Sequence, residues 1–136
     1  MGRLLVAFVC LLGLAGGAVA GPNFHPGNWE ITTTTEMVGM PGMNVPAATH
    51  RQCIREENLV PRSEGEAQEC SVSDVAISGD TVSWKVVCSG QNGSMEGTGS
   101  VTYRGETMSG TMDLVIQGAD MRVKNTIRGR RIGDCK

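Results

Sequence analysis

Leucine, large aromatics and late prolines are scarce in this chain. Beyond residue 20 there are two leucines, Leu59 and Leu114, and four large aromatics, Phe24, Trp29, Trp84 and Tyr103. A helical domain buries a long apolar stripe on each helix, usually rich in leucine, and this chain cannot supply one. All five prolines, Pro22 to Pro61, fall before Arg62, so the chain beyond Arg62 is free to run as uninterrupted strands. No Cys-x-x-Cys, Gly-x-Ser-x-Gly, His-Glu-x-x-His or P-loop occurs, and the histidines are two, His25 and His50. The expectation is therefore no enzyme, no catalytic residue and no cofactor. An excess of positive charge is also missing. From residue 21 onward 11 basic side chains face 14 acidic ones, a net of -3, which argues against nucleic acid or an anionic membrane surface as a partner.

The first twenty residues read as a secretory leader. Arg3 supplies the positive start, Leu4 to Leu14 the apolar run, and Ala18-Val19-Ala20 the small-x-small cleavage site before Gly21. The expected product is residues 21–136, one β-rich domain, periplasmic or secreted. No later stretch approaches the ~18 apolar residues needed for a transmembrane segment.

That remainder holds 11 Val, 11 Thr and 6 Ile, a balance that fits a pleated, half-buried sheet. Trp29, Ile31, Thr33, Thr35 and Met37 alternate with polar neighbours as a first strand. A short strand over Thr49 to Ile54 comes next, and then Glu56 to Glu69 is an acidic connection, expected to be a helical turn or mobile loop without a site. Further strands are predicted over 71–77, 81–88, 94–104, 107–117 and 121–130, separated by Gly79, Asn92-Gly93, Gly105 and Gly118. Gly97 and Gly99 share the inner face of their strand with Met95, Val101 and Tyr103, and leave room for the sheet to bend or for Trp84 to cross. In the last strand Asn125 interrupts an inner face of Met121, Val123 and Ile127. The fold class is all-β: an antiparallel up-and-down meander of about seven strands, a strongly curled sheet or small barrel, with a two-sheet sandwich as the alternative.

Cys10 lies in the leader, which leaves Cys53, Cys70, Cys88 and Cys135. An even count in an exported chain points to two disulfides, with three possible connectivities. A three-residue hairpin tip, Ser78-Gly79-Asp80, sets Cys70 opposite Cys88, whereas a two-residue tip sets Ser71 there instead. Cys70 with Cys88 and Cys53 with Cys135 is the favoured pairing.

No metal site is predicted. The nearest approach to one is Met37, Met40 and Met43 with His50, soft donors suited to Cu(I) or Ag(I), though methionines of this kind also serve as flexible apolar filler. Glu56 and Glu57 are read as a solvated pair. Gly27-Asn28-Trp29 with an arginine-rich last strand is similar to the entry and closing arginine of lipocalin-type barrels, where the tryptophan plugs the base under an arginine.

The ordered landmarks are more specific. Gly27-x-Trp29-Glu30, "MVGMPGM", Cys53, "CSVSDVAISGDTVSWKVVC" at 70–88, "GTGSVTYRGETMSGTM" at 97–112 and the terminal "GRRIGDC" together closely resemble the domain-of-unknown-function family numbered 3617. The resemblance covers nearly the whole chain after the leader. It implies an exported β-rich protein of Gram-negative envelopes with paired cysteines, and no activity. Two functional classes remain: a non-catalytic binding or interaction module with an envelope protein as partner, and a lipocalin-like carrier of a small apolar ligand. A cavity lined by Trp29, Trp84, Met108, Met112 and Leu114 favours the carrier; a solid core with an exposed apolar edge favours the interaction module.

Overall fold

The structure, a computed structural model, describes residues 21–40, 42–43, 45–62, 69–90 and 93–136. The predicted leader, Pro41 of the Met-Pro loop, residues 63–68 of the acidic connection and Gln91-Asn92 of the Asn-Gly turn lie outside the described residues. Seven strands form one sheet: β1 (Gly27–Val38), β2 (Ala48–Ile54), β3 (Glu69–Ser78), β4 (Thr81–Gly90), β5 (Gly93–Arg104), β6 (Thr107–Ile116) and β7 (Met121–Gly133). Every pair is antiparallel, in the order β2-β1-β7-β6-β5-β4-β3, and the sheet curls into a half-barrel.

The proline-free part supplies the meander β3 to β7, each strand pairing with the next. β1 then joins β7, and β2 adds outside β1. The two edges are therefore β2 and β3, which are consecutive in the chain and do not pair. The described part of their connection, residues 55–62, lies beside the gap between them, and there the structure corrects the expectation of a solvated loop. Glu56 and Glu57 are exposed, but Leu59, Val60 and Pro61 are buried, because three successive apolar residues find the open side of the half-barrel unfilled.

Strand register arranges the concave face as a grid of rows that run from strand to strand. At the base, Ile31, Gly129, Met108 and Tyr103 stand opposite one another. Phe24 stacks on Trp29 at 5.9 Å, and both meet Tyr103 edge-on. Trp29, Ile31 and Tyr103 are wholly buried. Phe24, not an arginine, lies against the Trp29 ring, while Arg131 bonds the Pro26 carbonyl at 2.9 Å and braces the N-terminal arm. The second row is Thr33, Ile127, Gly110, Val101, Val82 and Ile77. Thr35, Asn125, Met112, Gly99 and Trp84 make the third, and Met37, Val123, Leu114, Gly97, Val86 and Val72 the fourth. Met121, Ile116, Met95, Cys88 and Cys70 complete the upper end.

Both disulfides are formed: Cys70 with Cys88, and Cys53 with Cys135. The register that aligns Cys70 with Cys88 has a different origin from the one expected. The β3–β4 tip has two residues, not three: Ser78 pairs with Thr81 around Gly79-Asp80, with Gly79 at φ +57°. Left uncorrected, that register would set Ser71 opposite Cys88. A bulge between Ser73 and Ala76 sets Asp74 and Val75 against Trp84 alone, with Asp74 at φ +51°, and restores Cys70 to Cys88.

Candidate functional site

Above the packed second row the half-barrel is hollow. The third and upper rows enclose a cavity of about 790 Å³ with walls from Trp84, Val86, Met112, Leu114 and Val123 and an upper border of Met95 and the Cys70–Cys88 disulfide. Two glycines set its shape. A Cβ on Gly99 would stand 2.4 Å from Cζ2 of Trp84, so the bare backbone is the bed on which the indole lies. A Cβ on Gly97 would stand 1.8 Å from the Asp113 carbonyl oxygen, so here the missing side chain lets β5 and β6 coil tightly. Both roles foreseen for this glycine pair are present, one at each residue.

The side facing away from the sheet is formed by the connection between the edge strands. Leu59, Val60 and Pro61 pack over the cavity, with Glu57, Asn58 and Arg62 beside them. This segment is tied to two strands. The Tyr103 hydroxyl donates to the Leu59 carbonyl at 2.5 Å, and burial pushes that phenol well above its ordinary pKa. From β2, the Gln52 amide accepts from the Arg62 N–H at 2.8 Å and donates to the Val60 carbonyl at 3.5 Å. The other flank is edge strand β3, where Val72 and Val75 line the cavity while remaining about half exposed. The cavity therefore opens along an apolar edge.

A polar pair, Asn125 and Thr35, stands on its floor. Asn125, 6% exposed, is the one buried polar or charged side chain among the described residues. Its Oδ1 accepts from the Thr35 hydroxyl across β1 and β7 at 2.8 Å.

Of the five residues expected around a cavity, Trp84, Met112 and Leu114 line it, whereas Trp29 and Met108 do not. Met108 sits two rows lower and Trp29 three rows lower, in the solid base, where the Met108 side chain covers Gly129. Alternation along a strand gives the face of a residue and not its height, so sequence placed these two on the correct wall at the wrong level. Sequence reasoning also passed over the walls supplied by Leu59 to Pro61 and by Val75. The apolar triplet within an acidic stretch was the available signal for the first. Nothing in the alternation announces Val75, which faces inward because of the bulge.

Of the soft donors Met37, Met40, Met43 and His50, the histidine lies well down the sheet from Met37. His50 pairs with Ile31, six residues before Met37 along β1, which is about 20 Å at the rise of a strand. Met40 and Met43 are exposed beyond the end of that strand. His50 turns inward, and its Nε2 is buried without a hydrogen-bond partner among the described residues. Among the described residues no helix is long and apolar enough to cross a membrane.

Neither a curated protein nor a solved structure matches the chain. The family described as "Protein of unknown function (DUF3617)" matches residues 24–135, which includes every strand, both disulfides and all the residues around the cavity. On that match, the chain belongs to the DUF3617 family.

Proposed function

We propose that this protein is an exported, non-catalytic binding module, and that its half-barrel carries a small apolar ligand. One observation carries the reading: a cavity of about 790 Å³, walled by Trp84, Met112, Leu114 and neighbouring valines, that the side chains of the described residues leave unfilled. Protein interiors are ordinarily close-packed, and the base of this same sheet is. A hollow above a solid base in one continuous sheet fits a ligand site of the usual size for small molecules, mostly apolar with few polar groups. Export is supported by the leader-like first twenty residues and by the two disulfides, which persist in oxidising compartments.

The test is native mass spectrometry of the protein purified from the periplasm of its own host, before and after extraction with organic solvent. An adduct of lipid or other small-molecule mass that extraction removes is the expected result. A bare polypeptide mass throughout, together with no uptake of an added apolar fluorophore, overturns the carrier reading.

A second reading, an interaction module for an envelope protein, draws on a separate observation. Edge strand β3 is exposed along its whole length, and Val72, Val75 and Ile77 on it are each about half exposed. An open edge with apolar side chains is the kind of surface that another chain pairs with. Photo-crosslinking from position 77 in cells tests it, with one discrete adduct expected and none overturning it.

A further inference from the structure

We infer that the ligand of this cavity is an uncharged molecule with an aliphatic body and a carbonyl or ester oxygen that receives a hydrogen bond from the Asn125 side-chain amide. The inference rests on the carrier reading and narrows it to a chemical class.

The argument begins from Asn125 itself. A side-chain amide has two N–H donors and a carbonyl acceptor. The acceptor is used, by Thr35. The nitrogen donates to no described residue, yet it is not among the atoms sealed from solvent without a partner. A side chain 94% buried reaches open space only through the cavity that it lines, so the donors that no described residue accepts from point there. Sheet position gives the same answer: Asn125 is flanked by Met112 and Thr35 in the third row, directly above the packed layer of Ile127, Val101 and Val82. It stands at the closed end, where a ligand's innermost atoms arrive.

Around this donor the buried walls are apolar, and the other polar lining residues are Thr35, which it bonds, and Glu57, Asn58 and Arg62 on the covering segment. A leucine in place of Asn125 would complete the inner face of β7 without exposing a polar group, and once a purely apolar ligand fills the cavity the amide is desolvated with nothing to bond, which is a cost. A ligand oxygen removes that cost. The lining also bears on the charge of the oxygen. The lining side chains include one cation, Arg62, which is exposed and accompanied by Glu57. A carboxylate or phosphate brought to Asn125 would lie in a low-dielectric floor without a counter-charge, whereas a neutral carbonyl needs only the amide donor. Trp84, in the same row, offers its indole as a flat apolar surface beside that position.

The experiment is a 1H–15N titration of the purified, disulfide-bonded protein with methyl octanoate, undecane and octanoate at pH 8, on the unmodified chain and on Asn125→Leu and Thr35→Val. Methyl octanoate should move the Asn125 side-chain amide resonances, and undecane should move the Trp84 indole resonance but not the amide. Asn125→Leu should lower the ratio of ester to alkane affinity about tenfold, the size of one hydrogen bond to a buried donor. Thr35→Val, which leaves the amide without its partner, should change the same ratio by a smaller factor. Octanoate should bind more weakly than its methyl ester. Ester and alkane moving the same resonances with an unchanged ratio in Asn125→Leu overturns the inference and leaves the carrier reading standing. Tighter binding of octanoate than of its ester overturns it as well. If none of the three probes binds the unmodified protein, the carrier reading and the inference fall together.

Discussion

The indole of Trp84 lies across Gly99, its direct cross-strand neighbour, closely enough that a single Cβ there would come within 2.4 Å of the ring. The ring is one wall of the cavity and the glycine is its support, so the two residues shape the site together. Gly99→Ala should push the ring into the cavity, at a cost of about 1–3 kcal/mol in stability. Gly97→Ala should cost more, because there the added carbon meets the Asp113 backbone and not a side chain. Urea unfolding ranks the two variants. Near-ultraviolet circular dichroism should show the tryptophan signal changed in Gly99→Ala, and equal stability of both variants with unchanged spectra would contradict this account.

The bond from Tyr103 to the Leu59 carbonyl has a consequence in pH. Burial raises the phenol pKa in the folded protein, while the unfolded chain releases the same proton at about pH 10. Above that pH the unfolded state binds fewer protons than the folded state, so this group's contribution to stability declines as pH rises, by about 1.4 kcal/mol per unit. Below pH 9 it is constant. Tyr103→Phe should cost about 1–2 kcal/mol at neutral pH, because a buried carbonyl loses its donor, and should fall less steeply between pH 10 and 11 than the unmodified chain. Denaturant midpoints measured across that range decide it, and parallel curves for the two proteins would refute the assignment.

Much of the fold was legible because strand alternation is a strong local signal. The inner and outer faces of β1, β5, β6 and β7 can be read from residues such as Ile31, Tyr103, Leu114 and Val123, and the glycines at 79, 105 and 118 mark the turns that the structure uses. Asn125 was visible as an anomaly on an apolar face. Its meaning depended on Thr35, which is 90 residues away and reaches it only because β1 pairs with β7. No local pattern encodes that pairing. The same limit applies to Cys70 and Cys88. Counting back from the tip reached the correct partners through a three-residue turn that does not exist, because one bulged residue makes up the difference. Closure was also out of reach. The gap between β2 and β3 is decided by where Leu59, Val60 and Pro61 are buried, and those residues come after an acidic pair that marks the segment as solvated.

The two disulfides should differ in what they contribute. Cys70–Cys88 joins neighbouring strands of one hairpin, 18 residues apart, whereas Cys53–Cys135 ties edge strand β2 to the segment after β7 across 82 residues. In the loop-entropy account the shorter ring is worth about 3.2 kcal/mol and the longer about 4.5 kcal/mol. Position strengthens the contrast. Each edge strand pairs with one neighbour, β3 with β4 and β2 with β1, but β2 also holds the Gln52 contacts that fasten the cover of the cavity. Replacing Cys53 and Cys135 with alanine should therefore lower thermal stability more than replacing Cys70 and Cys88. It should also speed hydrogen exchange at the Arg62 amide, which depends on Gln52. The Cys70/Cys88 replacement should leave that amide protected and loosen β3 instead. Thermal unfolding with residue-resolved exchange separates these outcomes. A larger loss from the hairpin disulfide, with Arg62 unaffected in both variants, would show that β2 is held by its pairing with β1 and not by the covalent tie.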